Sequence, residues 1–144
     1  MKQNSIKFVV NWLISGSLLL ASVAAHAWGY DGHRIAADVA SGLLTQQARI
    51  RVGELLMGGS LADVASYMDD ERRSLKHQIP DSDKWHYDNI PVCGKSTAAA
   101  VCHNGDCATA RIDQLSKLLA DRKTDQATRV FAVKALVHLI ADIH

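Results

Sequence analysis

Apolar residues recur with a helical period along most of the chain. Between Asp31 and Leu44 they fall at Ile35, Val39, Leu43 and Leu44. Thr45 is placed to cap a second apolar run, Ile50 to Met57, which Gly58-Gly59 breaks. Ser60 with Asp63 has the form of a capping box and opens a third helix that the pattern carries to about Arg73. Ile112, Leu115, Leu118 and Leu119 predict a helix over Ala108 to Ala120. Thr124 is expected to cap the last one, which carries Val130, Phe131, Val133, Leu136, Val137, Leu139 and Ile140. Residues 75 to 106 hold both prolines, Pro80 and Pro91, and show no period. They read as an irregular excursion with at most a short strand or hairpin. The expected class is all-α, an irregular helical domain with one long loop.

The first 27 residues follow another pattern. Lys2 and Lys7 precede an almost wholly apolar stretch, Phe8 to Ala25, and Ala25-His26-Ala27 has the small-x-small form of a cleavage site. That is a secretory signal peptide. An uncleaved membrane anchor is the alternative, since the stretch is about long enough to span. Asn11 and the serines and glycine interrupt it, which favours cleavage. The mature chain then begins at Trp28 and is exported, to a periplasm or outside the cell, with no stable membrane association. Disulfides are permitted there.

Composition narrows the picture further. A chain of 144 residues is one domain's worth, and 48% hydrophobic with 22% charged residues excludes disordered and collagen-like classes. The net charge of +1 leaves no basic surplus to hold a polyanion by counterion release. Any dealings with phosphate must go through ions or a few placed cations.

Cys102 and Cys107 flank His103-Asn104-Gly105-Asp106, where Asn-Gly marks a tight turn, so a small disulfide loop is open to them. Cys93 is left over, which in a secreted chain suggests intermolecular pairing, a reactive thiol or a missing piece of chain. The last helix stops at His144 with no glycine, proline or polar tail. Truncation is the expectation drawn from both features.

Four constellations carry candidate chemistry. Trp28-Gly29-Tyr30-Asp31-Gly32-His33 would begin the mature chain, and a free α-amino group gives up its proton to a metal readily near neutral pH. Its nitrogen and the carbonyl oxygen of the same residue form a five-membered chelate, to which His33 adds an imidazole. In the last helix, His138 and Asp142 are four apart, hence on one face. Imidazole and carboxylate are ordinary zinc donors, though a core histidine beside a helix-terminal acid has the same spacing. Asp69 stands in Ala65-Ser66-Tyr67-Met68-Asp69-Asp70-Glu71-Arg72, three before Arg72, in what is otherwise a solvated acidic face. His86 lies within Lys84-Trp85-His86-Tyr87, either a ligand beside a stacking aromatic or part of an aromatic cluster.

Taken in order, the residues form a more specific pattern: Trp-Gly-x-x-x-His at the cleavage point, then Asp, His and His-x-x-x-Asp. The chain resembles the zinc-dependent single-strand nucleases of the S1/P1 family over Trp28 to His144. The resemblance implies three zinc ions in the family. One would be held by Asp69, His86, His138 and Asp142; another by the amino nitrogen and carbonyl oxygen of Trp28, with His33 and a bridging Asp142. It also implies catalytic roles for Asp69 and Arg72, with Arg72 the cation near the phosphate, Tyr87 as the aromatic that stacks a nucleobase, and a Cys102–Cys107 disulfide. Cys93 matches a cysteine whose family partner lies further downstream.

The implied activity is metal-assisted endonucleolytic hydrolysis of single-stranded DNA and RNA, leaving 5′-phosphates, by a monomer. The ligands of the third family zinc lie beyond the His-x-x-x-Asp helix, so two zinc sites are expected in this chain, and its activity is in question. A zinc phospholipase C-like phosphodiesterase shares the N-terminal tryptophan and His-x-x-x-Asp but places its first histidine further along; His33, five residues after Trp28, favours the nuclease. The other alternative is a non-catalytic secreted fragment that keeps some zinc affinity.

Overall fold

A computed structural model describes residues 29–94, 97 and 101–143; the apolar segment read as a signal peptide, Trp28 and His144 lie outside the described residues. The all-α expectation holds, with no strand among the described residues. Six helices set the frame: α1 Tyr30–Leu43, α2 Gln46–Leu55, α3 Tyr67–Asp70, α4 Arg72–Gln78, α5 Ala108–Ala120 and α6 Gln126–Asp142. None of the described helices is long and apolar enough to cross a membrane.

Local chemistry explains most boundaries. The Thr45 hydroxyl oxygen accepts the Ala48 N–H at 3.1 Å and caps α2. Past α2, Met57 and Gly58 take positive φ values of 53° and 88°, which turns the chain away. The capping box forms: Ser60 N–H donates to Asp63 and Asp63 N–H donates to the Ser60 hydroxyl. What it opens, however, is a 3-10 turn, Ala62–Val64, and not one continuous helix. Ser66 (φ −93°, ψ 5°) and Glu71 (φ −95°, ψ 7°) sit in the bridge region and divide the expected third helix into the 3-10 turn, α3 and α4. The Ser66 hydroxyl donates to the Asp70 carboxylate at 2.6 Å, one helical turn along. Helix α4 then continues past Arg73 to Gln78, into the segment read as irregular. The cap of α6 is Asp125, not Thr124: its carboxylate accepts from both the N–H and the hydroxyl of Thr128 at 2.9 and 2.7 Å.

Helix α6 is the centre of the molecule. Its apolar residues are not confined to one stripe, and it buries Ala132, Val133, Ala135, Leu136, His138, Leu139 and Ala141. A five-residue turn returns the chain from α5 onto α6. Met68, Leu75, Trp85, Leu115 and Leu139 fill one core, which brings α3, α4 and the long loop onto the α5–α6 hairpin. Ala37, Leu61, Ala62, Ala65 and Val133 form a second core, small enough in side chain for close approach of α1 and the 3-10 turn to α6. The periodic residues of α1 behave differently: His33 and Ala37 are buried, whereas Ile35, Val39 and Leu43 are 62%, 61% and 81% exposed.

The long loop is tied down by polar contacts. Trp85 is buried; its indole N–H donates to Asp106 at 3.1 Å, and the Arg111 guanidinium lies over its ring at 4.3 Å while pairing with the same Asp106. Asp88 accepts from the backbone and hydroxyl of Thr109 at 3.1 and 2.7 Å. Cys102 and Cys107 are joined as a disulfide, around the turn in which Asn104 and Gly105 have positive φ. Cys93 is a free, exposed thiol.

Candidate metal centre

Four elements deliver the five described candidate ligands to one place. His33 comes from the first turn of α1, Asp69 from α3, and His138 with Asp142 from the last turns of α6. His86 follows the 3-10 turn Ser82–Lys84 and directly succeeds the anchored Trp85. His86 Nδ1, His138 Nε2 and Asp142 Oδ2 form a triangle with sides of 2.8, 3.2 and 3.2 Å. Asp69 adds a fourth group, 3.9 Å from His86 and 3.8 Å from His138. On the other side, His33 Nε2 stands 3.5 Å from Asp142 Oδ1 and 3.9 Å from Asp69 Oδ2. Asp142 therefore faces both groups of donors.

The donor types and spacings of these residues could hold a cation. Ligand distances of 2.0–2.1 Å in a tetrahedral zinc site put neighbouring donors about 3.3 Å apart, close to the sides of the triangle. His138 Nδ1–H donates to the Ala65 carbonyl at 2.8 Å, which leaves the Nε2 lone pair of the neutral ring turned to the centre. His33 is 1% exposed, yet neither of its ring nitrogens has a hydrogen-bond partner. An orphaned, buried imidazole is costly unless something else meets its lone pair. Two sets satisfy the distances for a metal: His33, Asp69 and His138, and His86, His138 and Asp142.

Electrostatics without a cation show the same strain. Burial, then the neighbouring His138, hold the His33 imidazole below its ordinary range, only partly offset by Asp142 and Asp69. Burial also opposes charge on His138, but the hydrogen bond and charge of Asp142 outweigh it and raise that pKa. For Asp142 burial works upward, and contacts with His138 and His86 overcome it, taking the carboxyl well below the usual range.

Arg72 is at the rim. Its guanidinium is 53% exposed and 3.8 Å from Asp69, and both residues line a cavity of about 540 Å³. Tyr87 is 46% exposed, one residue beyond His86. Among the described residues Tyr87 makes no hydrogen bond or ring contact with the five clustered groups, and Trp28 lies outside the described residues. Sequence reasoning missed the Ala65 carbonyl that orients His138 and the Asp106–Arg111–Trp85 clamp behind His86. A main-chain acceptor carries no sequence signature, and the clamp joins residues of no shared period.

The family model described as S1/P1 Nuclease matches residues 28–144, and a search of curated proteins found no match. That family is helical and zinc-dependent, and its chemistry is hydrolysis of nucleic acid. Since the match runs through every element that supplies the centre, the chain belongs to the S1/P1 nuclease family.

Proposed function

We propose that this chain is a zinc-dependent endonuclease that hydrolyses phosphodiester bonds of single-stranded DNA and RNA and leaves 5′-phosphorylated ends. The observation that carries the reading is the convergence of three imidazoles and two carboxylates on one partly buried point. In this reading residues 1–27 are a leader removed on export to a periplasm or the exterior, residues 28–144 are the nuclease domain, and the product acts as a monomer.

Asp69, His86, His138 and Asp142 would hold one zinc; His33, the amino nitrogen and carbonyl oxygen of Trp28, and a shared Asp142 would hold a second. Zinc in such a site supplies Lewis-acid polarisation of phosphoryl oxygen and activation of water near neutral pH. The protein's own groups do the rest. Ala65 fixes the tautomer of His138, and the Trp85 anchor fixes the loop that carries His86. Arg72 offers a planar fork to the phosphate at the open side of Asp69. Tyr87 gives an unstacked base a ring face, which favours single strands over duplex.

The test uses mature protein beginning at Trp28. Metal analysis should find two zinc ions per chain, and a labelled thymidine oligomer should be cut to fragments that a ligase accepts without prior phosphorylation. A chelator should abolish cutting. Protein that holds two zinc ions and cuts neither DNA nor RNA would overturn the proposal; cleavage of phosphatidylcholine alone would redirect it to lipid.

A further inference from the structure

A second polar cavity, of about 680 Å³, opens between α2 and the start of α6, away from the metal centre. Arg129 and Asp142 are thirteen residues apart on α6, about 20 Å at 1.5 Å per residue. Arg51, Arg122 and Arg129 line it, with Gln47, Glu54 and Thr124 as neutral or acidic neighbours. Three guanidiniums thus face one carboxylate in a protein whose net charge is only +1. Glu54 is already engaged by Arg51 at 2.8 Å. Asp125, next to the cavity in sequence, has both carboxylate oxygens taken by Thr128.

Arg122 and Arg129 are left over. Neither side chain has a hydrogen-bond or ion-pair partner among the described residues, and the Nε–H of Arg129 is fully buried without an acceptor. The Nε–H of Arg129 is enclosed by protein, so its accessible and unpaired Nη groups are what it offers the cavity, and beside a second free guanidinium these match a tetrahedral oxyanion, which accepts several N–H bonds at once.

We propose that this cavity is a phosphate-binding site, in which Arg122 and Arg129 hold one phosphate group with Arg51 at its edge. The group is either inorganic phosphate or a backbone phosphate of a polynucleotide; both present the same oxygens. The site is independent of the metal centre and does not rest on the activity proposed above.

The test is nuclear magnetic resonance of the ¹⁵N-labelled, zinc-loaded protein, following the Arg129 Nε–H signal, assigned by its loss in Arg129→Gln. Inorganic phosphate should shift that signal saturably, and Arg122→Gln, an exposed substitution in a turn, should weaken the apparent affinity at least about fivefold. A thymidine oligomer with non-hydrolysable phosphorothioate linkages, titrated at matched phosphate concentration, identifies the source. A response at lower concentration than inorganic phosphate assigns the site to nucleic acid; a response to inorganic phosphate alone assigns it to the free ion. The proposal fails if neither moves the signal, if acetate moves it equally, or if Arg122→Gln binds phosphate as tightly as the parent.

Discussion

His33 and His138 lie face to face, ring centroids 4.0 Å apart and planes 16° from parallel, although one opens α1 and the other closes α6. Both are buried, and only His138 has a hydrogen bond that explains its place. Stability and metal affinity therefore pull His33 in opposite directions. In His33→Leu the two unpartnered ring nitrogens disappear, so melting in chelator should occur a few degrees higher, at about 3–4 °C per kcal/mol for a domain of this size. Zinc content should fall in the same variant. A lower melting temperature in chelator together with unchanged zinc would refute the reading of His33 as a residue kept for a ligand.

Asp142 lies closer to all three imidazoles than Asp69 does, with His86 at 2.8 Å, His138 at 3.2 Å and His33 at 3.5 Å. Asp142→Asn keeps the shape but loses the negative charge, so both metals should be weakened together. Asp70, one residue after Asp69, accepts instead from Ser66 and faces solvent. Asp70→Asn retains an acceptor there and should leave zinc content unchanged. Metal analysis of the two variants side by side distinguishes a shared ligand from general loss of acidic charge.

The helices were legible because apolar period, capping side chains and glycine breaks are local properties; α5 is found at the expected boundaries of Ala108–Ala120. The break-up of the third helix was not, because it depends on backbone bends at Ser66, before α3, and at Glu71, between α3 and α4, that propensity does not anticipate. The candidate ligands themselves were visible as residue types in a recognisable order. Their supports were not: the Ala65 carbonyl and the Asp106–Arg111 pair act through tertiary contact, and nothing in their spacing advertises it.

Asp106 should set an acid limit on stability. The hydrogen bond from Arg111, and after it that from Trp85, hold its carboxyl below the ordinary range. A carboxylate whose folded pKa is depressed contributes stability that is complete above the unfolded value of about 4 and is lost as pH falls through the folded one. Asp106→Asn should cost about 1–2 kcal/mol at pH 7 and flatten the loss of stability below about pH 4. Urea titrations of parent and variant at pH 7 and pH 3 check both; an equal difference at the two pH values would rule out a role for ionised Asp106.

Leu139 and Ile35 occupy equivalent positions in their apolar patterns but not in the fold. Leu139 has no exposed surface and packs in the core beneath Trp85, whereas Ile35 is 62% exposed and borders a groove shared by α1 and α6. Leu139→Ala removes buried methyl groups and leaves a cavity, at a cost of about 2–5 kcal/mol. Ile35→Ala removes atoms that already meet water and should change stability by less than about 0.5 kcal/mol. Because Val39, Leu43 and Ile140 border the same groove, the comparison also reports on that face. If Ile35→Ala costs as much as Leu139→Ala in denaturant titrations, the α1 stripe is covered in solution, and its apolar period marks an interior face after all.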